Sequence, residues 1–165
     1  SFLMGRRLVP HAERALSLMR QLDPRDLVPT PVGPMPGAQW SLHLASEVAL
    51  HRRDIEEAGR GPQPLDQDRA RDALAWTLDY VLPRIEADAS SRLRSICIEC
   101  PGCVARVGFG DCRASIVGTE EAVLLALWNR TRQGISFRGA ADDALAWLEL
   151  IPSAVPPVTP RRSAP

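Results

Sequence analysis

All four cysteines of this 165-residue chain, Cys97, Cys100, Cys103 and Cys112, fall inside one short window. Two residues separate Cys97 from Cys100, and two more separate Cys100 from Cys103. That spacing lets thiolates from one tight turn converge on a soft cation, and Pro101-Gly102 supplies the turn. Zinc is the metal expected, because tetrathiolate sites are closed, redox-silent and common in small modules that bury little apolar surface. An iron–sulfur cluster, inert buried thiols and, in an oxidising compartment, disulfides are the alternatives.

Upstream of the cysteines the hydrophobic pattern is helical. Leu8, Ala12, Ala15, Leu16, Met19 and Leu22 recur every three or four residues and stop before Pro24, as an amphipathic helix does. Prolines at 29, 31, 34 and 36 make the next stretch an extended connector. A second helix is expected over about 41–58, with Leu44, Val48, His51 and Ile55 on its apolar face. A third starts at Asp66 as N-cap, behind Leu65, and buries Ala70, Leu74, Leu78, Val81, Leu82 and Ile85. Pro83 should kink or interrupt it.

The period then changes. Residues 93–98, 104–109 and 113–117 alternate in steps of two between glycines, which predicts short strands. Thr119-Glu120-Glu121 provides an N-cap and first-turn acids for a helix through Trp128 to about Arg132, with Gly134 as its terminating glycine. The string Asp-Ala-Leu-Ala-Trp occurs at 72–76 and again at 143–147, and two similar amphipathic helices account for it. The expected fold class is therefore α+β. A helical body covers 1–90, a small ββα zinc-ribbon-like module covers 91–134, a C-terminal helix within 135–152 packs on the body, and 153–165 form a disordered tail.

The segment Cys100-Pro-Gly-Cys103, a short strand, Cys112-Arg-Ala, Thr119-Glu-Glu-Ala122 and Leu127-Trp128-Asn129-Arg130 resembles the Lar-like restriction alleviation family of phage and prophage proteins. The resemblance covers residues 97–132. It implies a zinc ribbon in which Cys100 and Cys103 are the first ligand pair and Cys112 the last ligand. Phe109 stands where the third would be, leaving Cys97 as the remaining thiol that can complete four. It also implies a protein that acts by binding a host restriction-modification or other defence protein, with Trp128, Arg130, Arg132 and Arg113 as candidate partner-binding residues.

Composition narrows the remaining classes. All 20 basic residues are arginine, which excludes lysine-based Schiff-base and P-loop chemistry. Twenty acids balance them, and zero net charge argues against a binder dominated by phosphate attraction, although a local arginine rim keeps nucleic acid as the alternative partner. Three dispersed histidines, His11, His43 and His51, and the absence of any phosphate loop or nucleophile motif point away from an enzyme. No apolar run reaches membrane-spanning length, and cytoplasmic residence in the host cell is the expectation.

Overall fold

The structure, a computed structural model, describes residues 13–14, 16–30, 33–59, 61, 63–84 and 93–154. Expectations placed on Leu8, Ala12, Ala15, Ile85 and the tail from 155 onward lie outside them. Residues 16–21 are helical, with Leu16 and Leu18 more than half exposed. On either side of the proline-rich connector, β1 (Leu27–Val28) and β2 (Met35–Pro36) pair as a two-stranded antiparallel ribbon.

Helix α1 (Gly37–Gly59) is longer than its pattern predicts, and it turns the other way. Val48 and Ile55 are 67% and 73% exposed, and His51 is solvated between Glu47 and Asp54. The buried side is instead Ser46, Ala49 and Leu50. Small residues let α1 lie close against its neighbour, and the Ser46 hydroxyl is satisfied by donating to the Leu42 carbonyl at 2.7 Å.

Helix α2 (Gln67–Trp76) starts as predicted, the Asp66 carboxylate accepting from the backbone N–H groups of Asp68 and Arg69. Pro83 does not break it. A π turn over Thr77–Val81 precedes the proline, the Leu82 N–H reaching back to the Thr77 carbonyl, and residues 82–84 continue as helix. Widening the turn absorbs the missing donor and the bulk of the proline ring.

The second half is a four-stranded mixed sheet in the order β4-β3-β5-β6. Strands β3 (Arg94–Cys100) and β4 (Cys103–Val107) form a hairpin, and β5 (Phe109–Gly118) runs parallel to β3 on its other side. Gly108 makes that crossing. Its φ is +88°, and a Cβ there would lie 2.9 Å from the Ser95 Cα, so only glycine lets the chain pass. Helix α3 (Glu120–Leu127) follows, then β6 (Ile135–Gly139) antiparallel to β5, then α4 (Ala141–Ala154). Strand β6, in the segment expected to hold only the C-terminal helix, is the fourth strand of the sheet. Helix α3 also ends earlier than Gly134: Asn129 takes a left-handed φ of 53°, and the Arg130 N–H bonds the Leu125 carbonyl at 2.8 Å.

One face of the sheet is packed. Ile96, Ile98 and Ile116 are fully enclosed beneath Leu74 and Leu82 of the α2 helix, Val123, Leu124 and Leu127 of α3, and Trp147 and Leu148 of α4. Helical and sheet regions share this core. Each aliphatic side chain so buried contributes about 1.5–3 kcal/mol. Trp147 also anchors α4, its indole N–H donating to the Arg94 carbonyl at 2.8 Å.

Candidate functional site

Alternation along β3 decides where the sulfurs go. Successive strand residues point to opposite faces, so Cys97 and Cys100, an odd number of positions apart, cannot share one. Cys97 lies on the face away from the helices, joined in a disulfide to Cys112. Cys100 and Cys103 are free thiols, cross-strand partners at the ends of the Pro101-Gly102 turn, with Cys100 in the core and Cys103 against it. The structure thus separates the four cysteines into two pairs on opposite faces, where the knuckle reading gathers them at one point. Among the described residues, no group of three or more side chains that could hold a metal is assembled.

The parallel pairing of β3 and β5 sets the surroundings of the free thiols. It puts the C-terminal ends of both strands side by side, so the Cys100–Cys103 turn sits next to the start of α3. Thr119 caps that helix, accepting from the Ala122 N–H at 3.2 Å. The next residue, Glu120, is 4% exposed, and its Oε1 has no hydrogen-bond partner. A Cβ on Gly102 would lie 3.0 Å from that oxygen and 3.6 Å from Arg71 Nε, so the glycine turn, the buried carboxylate and Arg71 meet in one place. Burial pushes the Cys100 thiol up to about 11, helped by Cys103 and Glu120, and burial with Asp79 and Glu120 also raises Cys103. Both are protonated thiols at neutral pH, which makes them poor nucleophiles.

The opposite face has no described element over it. Strand register aligns Arg106, Cys97, Ser115 and Arg138 in one row across all four strands, and Val104, Glu99, Val117 and Ser136 in the next. Arg106 donates to the Ser95 hydroxyl at 3.0 Å and to the Gly110 carbonyl, and Ser95 Oγ lies 3.5 Å from Cys112 Sγ. Arg138 pairs with Glu99 at 2.9 Å. Val104 is 79% and Phe109 61% exposed, and Arg113 is exposed beside the bulge that begins β5.

The expected binding residues divide. Trp128 is buried, and its indole N–H donates to the Thr77 hydroxyl at 3.0 Å, tying α3 to the π turn. It is therefore not available as an exposed anchor. Arg130 holds both carboxylate oxygens of Asp54, at 2.8 and 2.9 Å, and so joins α1 to the end of α3. Arg132 and Arg113 remain exposed. Glu120, Arg71 and Asp79 escaped the sequence reading because Glu120 there serves only as a first-turn acid, and nothing local reveals the strand pairing that buries it. His43 stands in an aromatic group with Trp40, Trp76 and Tyr80, where burial lowers its pKa despite Glu47 nearby.

No family model, curated protein or solved structure matches the chain. No helix among the described residues is long and apolar enough to cross a membrane.

Proposed function

We propose that this protein acts by binding another protein through the uncovered face of its sheet, without catalysis. The supporting observation is that this face has no described element over it and exposes Val104, with Arg106 and Arg138 on its two edge strands and Arg113 at the start of β5. A mixed face, with Val104 and Val117 among polar residues and arginine at both edges, fits a partner surface that is part apolar and part acidic. Support for a non-catalytic role comes from the protonated thiols and from the settings of His43, tilted against Trp40 and Trp76, and of His51, solvated between Glu47 and Asp54. The resemblance of residues 97–132 to the restriction alleviation family favours a host restriction or other defence protein as partner, in the host cytoplasm.

The test is affinity capture from host cells with the wild type and with Val104→Asp and Arg113→Glu, followed by calorimetry on the purified partner. Binding that is lost in both variants, while their melting temperatures stay at the wild-type value, is the expected result. Equal binding by all three proteins would overturn the proposal. The row of arginines supports nucleic acid as a second reading, and salt separates the two. Phosphate binding weakens steeply as ionic strength rises, whereas an interface that also buries Val104 changes less.

A further inference from the structure

We propose that the Cys97–Cys112 disulfide is a thiol-exchange site: a low-molecular-weight thiol adds to Cys97, and Cys112 leaves as the thiolate. This chemistry is separate from partner binding, because it needs only that the sulfurs be reachable, whether or not the open face takes a partner.

The first observation is where the disulfide lies. Cys97 is half-exposed and Cys112 exposed, on the face with no described element over it, so a small thiol reaches the bond without opening the fold. Exposed disulfides are the labile and regulatory ones, while shielded ones resist exchange. The second observation is that the two sulfurs keep different company. Ser95 Oγ lies 3.5 Å from Cys112 Sγ, and because a disulfide sulfur carries no proton, the hydroxyl is the donor. The same oxygen accepts from Arg106 Nε at 3.0 Å. Ser95 is fully buried, so the guanidinium fixes and polarises its hydroxyl toward the sulfur. Arg106 is itself held by donating to the Gly110 carbonyl, two residues before Cys112. Among the described residues, no such donor meets Cys97 Sγ.

These contacts set the direction of exchange. An attacking thiolate bonds to one sulfur while the other departs with the electron pair, and the sulfur better able to hold negative charge departs faster. That sulfur is Cys112. The bond between the two cysteines breaks, a new S–S bond joins Cys97 to the incoming thiol, and Cys112 Sγ keeps the electron pair beside the Ser95 hydroxyl. One disulfide replaces another, with no net oxidation or reduction. A second small thiol then attacks the sulfur of the first, releasing Cys97 and forming the small-molecule disulfide. Over both steps two small thiols are oxidised and the protein disulfide is reduced.

Full-chain protein with Cys97–Cys112 oxidised and Cys100 and Cys103 reduced is incubated with excess glutathione at neutral pH, quenched with N-ethylmaleimide and mapped by tandem mass spectrometry. In the wild type the mixed disulfide should be on Cys97 and the maleimide on Cys112. Ser95→Ala should slow loss of the disulfide by roughly tenfold, the worth of one hydrogen bond to a charged group, and Arg106→Gln should slow it in the same direction. A purely structural role for Ser95 has the opposite sign, since a loosened strand exposes the bond and speeds reduction. Where either variant melts early, the other carries the rate comparison. A further measurement uses Cys97→Ser, in which Cys112 is a free thiol: the pH profile of its alkylation should move upward when Ser95→Ala is added. No exchange in the wild type would overturn the proposal, as would glutathione found on Cys112, unchanged or faster reduction in the folded variants, or a profile that does not move.

Discussion

The two faces of the four-stranded sheet come from alternate residues of the same strands, yet they divide the work. On one face Ile96, Ile98 and Ile116 are sealed beneath three helices; on the other Cys97 and Ser115 stand half-exposed in a row that ends in arginine on both sides, with Glu99 in the next. Burial of apolar area stabilises in proportion to its extent, while exposed ion pairs are worth little. The packed face should therefore carry the stability and the open face the freedom to bind.

The largest effect expected is on the packed side. Trp147→Ala should cost about 3–5 kcal/mol in chemical denaturation, because it leaves a cavity beneath β3 and removes the bond to the Arg94 carbonyl. A loss below about 1 kcal/mol would break the comparison at once. Next comes the one covalent tie of the open face. The Cys97–Cys112 disulfide spans a sequence separation of 15, and removing it with the double serine variant should lower stability by about 3 kcal/mol through the added freedom of the unfolded chain. Equal stability with and without reductant would mean that this face contributes nothing covalent.

Two smaller effects sharpen the contrast. Asp66→Ala should cost about 1 kcal/mol by releasing the first turn of α2, the helix that covers the packed face. Arg138→Gln, which breaks the exposed pair with Glu99, should change stability by no more than about 0.5 kcal/mol. Urea titration of both, run beside the wild type, reads the difference. A larger loss in Arg138→Gln than in Asp66→Ala would reverse the assignment of the two faces.

How far the sequence reaches can be seen element by element. Asp66 and Thr119 announce their helices because capping is local, and the alternation over 94–98 announces β3. What is not local is missed. The parallel partnership of β3 with β5 joins residues whose proximity no nearby pattern encodes, and with it goes the burial of Glu120. Strand β6 is only Ile-Ser-Phe-Arg-Gly, too short to separate from the helix that follows. The inverted face of α1 has a different cause: Val48 and Ile55 set the pattern by their hydropathy, but Ala49 and Ser46 win the contact because they permit close approach. The cysteines show the same limit in miniature. Their spacing reads as a knuckle if the chain turns there and as two separate faces if it extends, and the hairpin decides.

The π turn of α2 has one more consequence. An extra residue in a helix advances everything after it by about 100° of rotation relative to an unbroken helix. Residues before the turn aim Ala70, Ala73 and Leu74 at the sheet, and the added phase keeps Leu78 and Leu82 aimed there while Trp76 and Tyr80 stack on one another at 4.0 Å beside Met35. At a uniform pitch Leu82 would stand about 120° around the helix from Ala70; the wider turn brings it back over the sheet, so one rod keeps Leu74, Leu78 and Leu82 in one cluster and Trp76 and Tyr80 in the other.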